Sequence, residues 1–151
     1  VIDAGYWFSV RDGDPRALAL YLRHYSAKKS RARYTTPLVG NAMRFVGNGE
    51  HVVLLTRDCD AVFAWRLQEL RMDDQTGVEC TVFRKEGPGL ASDMIREAIG
   101  IAQRKWPGKR LFTFIDPREI RSTNPGHCFK VAGFRHCGQT RRGLHVLELV
   151  A

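Results

Sequence analysis

Val78-Glu79-Cys80-Thr81-Val82-Phe83 is followed by Arg84-Lys85-Glu86-Gly87-Pro88-Gly89 and then by a run from Leu90 to Trp106. The first piece is β-branched and aromatic, the composition of a strand. In the last piece Leu90, Met94, Ile95, Ala98, Ile101 and Ala102 recur at spacings of three and four, which predicts a helix with one apolar face. Pro107-Gly108 stops it. The turn between them, Arg-x-x-Gly-x-Gly, brings backbone N–H groups to the positive end of a helix, a setting that favours an anion. Glycines also occur in such turns for steric reasons alone.

A second segment strengthens the first. Leu111-Phe112-Thr113-Phe114-Ile115 reads as another strand, and Asn124-Pro125-Gly126-His127-Cys128-Phe129-Lys130-Val131-Ala132-Gly133-Phe134 follows it. The strand–turn–helix resembles the pyrophosphate-binding motif of the GNAT acyltransferase superfamily. The later segment is similar to its second signature, an Asn before a short helix ending in Gly-Phe. The resemblance implies an α/β fold in a single domain over residues 1–151, a mixed β-sheet flanked by helices. It also implies a small-molecule donor, acetyl-CoA or another acyl or aminoacyl donor, contacted by Arg84, Lys85, Glu86, Gly87, Gly89, Leu90 and Asn124. Two departures stand out. Phe129 occupies the place where many such enzymes carry a proton-donating Tyr, and Pro88 removes one N–H from the turn.

The chain has 151 residues, 44% of them hydrophobic, enough for one proper core. No apolar run approaches the ~18 residues of a membrane span. No apolar leader is evident, so a cytoplasmic location is expected, the host's cytoplasm if a phage encodes the chain. Cys59, Cys80, Cys128 and Cys137 form no Cys-x-x-Cys pair and read as reduced thiols. The net charge is +8 and is unevenly placed. Between Pro15 and Gly49 there is no acidic residue, but there are Arg16, Arg23, Lys28, Lys29, Arg31, Arg33 and Arg44. Arg121, Lys130, Arg135, Arg141 and Arg142 form a second basic stretch. Such segments suit a polyanion, double-stranded DNA first, with a solvated surface or a phosphorylated cofactor as the alternatives. Lys28, Lys29, Arg31, Arg33, Arg121, Arg141 and Arg142 are the expected contacts, with Tyr34 available to stack on a base.

In order, Ala4 to Val10 reads as a strand, and Asp14-Pro15 opens a helix reaching His24-Tyr25-Ser26. Residues 27–40 form a basic loop. His51–Thr56 and Ala61–Leu67 make a hairpin around Arg57-Asp58-Cys59-Asp60. Phe134–Cys137 and Leu144–Val150 close the sheet.

Several strings together resemble the phage Mom family of DNA-modifying proteins, a divergent GNAT-like group that converts adenine to an N6-carbamoylmethylated base and so protects DNA from restriction. They are Arg23-His24-Tyr25-Ser26, Phe45-Val46-Gly47-Asn48-Gly49-Glu50, Cys80-Thr81-Val82-Phe83-Arg84-Lys85-Glu86, Asp116-Pro117, Arg121-Ser122-Thr123-Asn124-Pro125-Gly126 and Cys128-Phe129-Lys130-Val131-Ala132-Gly133-Phe134. The resemblance implies catalytic roles for His24, Tyr25 and Asp116, and raises the prospect of iron.

Each of these residues also has a plain structural role open to it. His24 can satisfy a helix end, Tyr25 can pack in the core, Asp116 can start an Asp-Pro turn, and Asn124 can cap a helix beginning at Pro125, its favoured role. His127, Cys128, His136 and Cys137 are weak metal candidates, since their spacing fits no standard zinc pattern. Glu79 is a candidate water-mediated base for a conventional acetyltransferase. An acetyltransferase acting on a small amine, a protein or tRNA, and a non-catalytic nucleic-acid-binding domain, remain as alternatives, and the basic segments are also consistent with a homodimer binding duplex DNA.

Overall fold

The computed structural model describes residues 5–24, 27, 43–120 and 124–150. Tyr25, Lys28, Lys29, Arg31, Arg33, Tyr34 and Arg121 lie outside that set. In chain order the elements are β1 (Trp7–Val10), α1 (Pro15–Leu22), β2 (Glu50–Thr56), β3 (Ala61–Leu67), β4 (Val78–Lys85), α2 (Ala91–Lys105), β5 (Leu111–Ile115), α3 (His127–Val131), β6 (Arg135–Gln139) and β7 (His145–Leu149). The strands form one sheet in the order β1-β2-β3-β4-β5-β7-β6. Every pair is antiparallel except β4 with β5, which are parallel because α2 carries the chain across between them.

The helices cover opposite faces. Against α2 and α3 lie Phe63, Trp65, Cys80, Leu111, Ile115 and Leu147, with Ile95, Ala98 and Ala102 from α2. Against α1 lie Val53, Leu55, Val62, Ala64 and Val82, with Ala17 and Leu20 from the helix. Neighbours such as Ala64 and Trp65 fall on different faces, the period-2 alternation of a strand. The α2 face differs in two positions from the expectation: Ile99 is buried, and Leu90 is 61% exposed because it is the N-cap rather than a residue of the face. The three indoles each find an acceptor, which is what allows them into the core. Trp65 Nε1 donates to the Ala98 carbonyl at 2.8 Å, Trp7 Nε1 to the Met94 carbonyl at 2.8 Å, and Trp106 Nε1 to Glu50 at 3.2 Å.

Three of the boundaries that differ from those read in the sequence bear on the site. β1 begins at Trp7, where the Glu97 carboxylate takes the N–H groups of Tyr6 and Trp7 and ties this strand to α2. α1 ends at Leu22 with Arg23 as C-cap, so His24 follows the helix in a turn, its N–H bonded to the Tyr21 carbonyl. α3 begins at His127 behind a left-handed Gly126, not at Pro125.

Candidate active-site cleft

β4 parts from β5 after Cys80 and bulges against β3 at the same place. It pairs with β5 only through Val78, Cys80 and the Glu79 between them, yet runs on to Lys85. Its register with β3 shifts where Ala64 and Trp65 oppose Val82 and Cys80, leaving Thr81 as the extra residue of a bulge. The diverging strands open a cleft of ≈ 720 Å³. Its walls are Thr81, Val82 and Phe83 of β4, Thr113 to Ile115 of β5, and Cys128 and Phe129 of α3. His24, Asp116, Asn124 and Arg142 complete the lining. The helix-end His and the strand-end Asp, 92 positions apart, therefore share one cavity.

The wall is largely neutral. Phe129 is buried, with Phe63, Phe83 and Phe134 around it, and offers no proton. Burial pushes the Cys128 thiol above its ordinary range, so it is uncharged at neutral pH. The Thr81 hydroxyl oxygen is buried with no hydrogen-bond partner. His24 is pulled down to about 4, first by burial and then by the positive charge of Arg84. Its ring is neutral at pH 7, able to accept a proton but a weak base.

Asp116 faces the cleft with its carboxylate engaged: Oδ1 accepts from the Arg118 N–H and Nε, both at 3.0 Å, and Oδ2 accepts from Nη2 at 3.3 Å. Asn124 is committed to α3. Its Oδ1 accepts from Lys130 Nζ at 2.7 Å, and its amide nitrogen lies 3.2 Å from His127 Nδ1. It clamps the short helix rather than supplying its N-cap. Glu79 cannot serve as a free base, because its carboxylate is shared by Arg66 at 3.2 Å and Arg71 at 2.9 Å. The four metal candidates do not converge. Cys128 is in the cleft, Cys137 is 3.7 Å from Arg110, and His136 packs edge-on to His145. Among the described residues no three His, Cys, Asp or Glu side chains are placed to hold a metal ion.

The glycine turn lies between β4 and α2, and its residues are not among those lining the cleft. Glu86 receives a two-pronged contact from Arg23, at 2.6 and 2.8 Å, and a third from Arg84 at 3.0 Å. Those guanidiniums, Arg23 first, hold its carboxyl down to about 2. Lys85 Nζ donates to the Gly87 carbonyl. The glycines have local steric causes: a Cβ on Gly87 would collide with Asp60 Oδ2, and Gly89 has φ +113° against the Tyr6 ring. What remains open is the helix start. Leu90 provides no side-chain cap to α2; the Asp93 N–H bonds the Leu90 carbonyl, which leaves the amides of Ala91 and Ser92 for an outside acceptor. Sequence reading did not anticipate the Thr81 bulge, the Arg23–Glu86 contact or the role of Asp60. Each depends on pairing between segments distant in the chain.

Two solved structures superpose on almost the entire chain. One, an acetyltransferase from Thermus thermophilus, has a TM-score of 0.57 and 13% identity over 99% of this chain and 100% of its own. The other, from Bordetella pertussis and assigned to the GNAT acetyltransferase family, has a TM-score of 0.60 and 12% identity over 100% of this chain and 99% of its own. This chain has the GNAT fold. The expectation of a single-domain mixed sheet flanked by helices thus stands. Neither the protein-family models nor the curated proteins give a match. Among the described residues no helix is long and apolar enough to cross a membrane.

An acyl-CoA, the donor that a GNAT fold implies, fits what is present in three respects: an uncapped helix start, a basic turn, and an apolar cleft with an unsatisfied hydroxyl. The Asp60 carboxylate beside Gly87 and the missing N–H of Pro88 narrow the seat for phosphates without closing it.

Proposed function

We propose that the chain is an acyltransferase that carries an acyl group from a thioester donor to an amine in the cleft between β4 and β5. The observation that supports this most directly is that β4 runs on past its last pairing with β5 and bulges at Thr81, where both strands line the cleft. A bound donor would supply an activated acyl carbon.

The protein's own groups would do the rest. Amides at the start of α2, with Arg84 and Arg23 nearby, hold the anionic end of the donor. Val82, Phe83, Ile115 and Phe129 exclude water from the cleft. The neutral ring of His24 accepts a hydrogen bond from the incoming amine, and Asp116, fixed by Arg118, keeps a negative charge at the same mouth.

A second reading has its own support. The amine is then the exocyclic N6 of adenine in DNA, carbamoylmethylated as in the Mom-like proteins that the sequence resembles. Phe129 favours it, because thioester chemistry normally profits from a proton donor at that place and a buried phenyl ring has none to give. So does the net charge of +8.

One experiment separates the two. Purified protein is incubated with acetyl-CoA and a panel of small amines, peptides and DNA, and the acceptors are analysed by mass. DNA nucleosides from cells expressing the protein are examined in parallel. Acetylated acceptor supports the first reading, and a modified adenosine with no acetyl transfer replaces it with the second. Absence of both products would refute a transferase.

A further inference from the structure

Few groups on the cleft wall have a direction that can be assigned. Glu79 is shared by two arginines, and Arg118 is held on Asp116. The Thr81 hydroxyl is without a partner and turns to suit whatever meets it, as donor or acceptor. Besides His24, one imidazole lines the wall, that of His127, the first residue of α3. Gly126 puts it there. The glycine is left-handed, with φ 75°, and Leu147 and Ile115 fill the space that a Cβ would need, so α3 starts tight against β7 and β5.

The proton of the neutral His127 ring can be placed. Lys130 Nζ has only N–H groups to give, so the atom of Asn124 that it meets at 2.7 Å is the carbonyl oxygen. That contact turns the amide nitrogen of Asn124 towards His127 Nδ1, at 3.2 Å. An amide nitrogen donates, so Nδ1 accepts and the proton sits on Nε2. Among the described residues nothing receives that Nε2–H.

A neutral imidazole with one fixed N–H brings a hydrogen-bond donor, and no charge, to a largely apolar wall. Such a donor stabilises negative charge that appears on a carbonyl oxygen only as the reaction proceeds. We propose that His127 is a catalytic residue of the acyl transfer, its Nε2–H donating to the thioester carbonyl oxygen, with Asn124 and Lys130 as the positioning residues that fix its tautomer. This rests on the cleft being the site of transfer. In the step the amine lone pair adds to the acyl carbon, and the C=O pair moves onto the oxygen that faces Nε2–H. As that pair returns, the C–S bond breaks with its electrons on sulfur, and the thiolate takes the proton that the amine loses. His127 keeps its own proton throughout. The step draws none from the wall, so the phenyl ring of Phe129 is compatible with it.

The test joins steady-state kinetics to nitrogen NMR of the histidine rings, both at a pH well above the ordinary imidazole pKa of about 6.5. The kinetics use acetyl-CoA and a small amine from the panel that the wild type acetylates. The NMR should place the His127 proton on Nε2. His127→Ala should lower kcat about 10²-fold and leave the KM for acetyl-CoA within about twofold. His127→Gln, which keeps an N–H, should recover much of that loss. In Asn124→Asp the carboxylate still receives Lys130 but offers Nδ1 an acceptor, so the proton should move to Nδ1 and kcat should fall while KM holds. His127 is exposed, so the melting temperatures of its variants should match the wild type. A wild-type kcat in His127→Ala would overturn the role, as would an equal loss in the Ala and Gln variants or a native ring protonated on Nδ1. Each of those results, with the wild type active, leaves the acyltransferase reading standing. A wild type that acetylates no amine removes that reading, and this role with it.

Discussion

Replacing His24 with Asn should flatten the acid limb of the stability curve. In the native chain the ring is held at about 4, against an ordinary value of 6.5, because burial and the nearby Arg84 both penalise its charge. In the unfolded chain it titrates near 6.5. Below that pH the unfolded state takes up a proton that the native state refuses. The neutral ring therefore contributes fully above pH 6.5, and its contribution drains away as pH falls towards 4. The gap corresponds to about 3 kcal/mol. For a chain of 151 residues that is roughly 6–12 °C of melting temperature. Thermal unfolding from pH 7.5 to 4.5 measures it, with other titrating groups common to both proteins. Most of that decline should be missing from His24→Asn, whose curve should converge on the wild type in acid. Parallel curves across the window would refute the placement of a neutral, buried His24 at the cleft.

Gly87→Ala should cost about 2–3 kcal/mol in urea unfolding, because its Cβ would overlap Asp60 Oδ2. Asp60→Gly should recover part of the loss in the double variant, and strictly additive losses would deny that contact. Glu79→Gln should destabilise by about 3 kcal/mol, since Arg66 and Arg71 lose the charge they share. A loss below about 0.5 kcal/mol, the range of ordinary surface changes, would show that the network carries little. Trp65→Phe should cost about 2–3 kcal/mol by leaving a void and losing the indole's hydrogen bond to the Ala98 carbonyl, and a neutral result would contradict full burial of the indole.

The central strand and its helix were legible because their signals are local. β-branched residues from Val78 to Phe83 and the periodic run after Leu90 fix an element each, and Pro107-Gly108 ends the second. The hairpin at Asp58-Cys59 was equally plain. The site was harder to read. That His24 and Asp116 share a cavity follows from sheet order, which residue types suggest only through resemblance to a known family. The committed state of Asp116, Asn124 and Glu79 was invisible, because Arg118, Lys130, Arg66 and Arg71 could have pointed elsewhere. Gly87 illustrates the limit best. Its sequence context reads as a phosphate turn, whereas its immediate steric cause is a carboxylate from the preceding hairpin. The Thr81 bulge has no signature in a run of β-branched residues, yet it is where the cleft opens.

The most direct measurement is the melting temperature of the protein with and without acetyl-CoA. A ligand that binds only the native state stabilises it by about 2.7 kcal/mol at a hundred times its Kd. For a chain of this length that is a rise of roughly 5–11 °C. The account of the cleft as an acyl-donor seat predicts such a rise, reproduced by CoA and reduced when Cys128→Trp fills the cleft. A cooperative transition that stays in place at millimolar acetyl-CoA would contradict it.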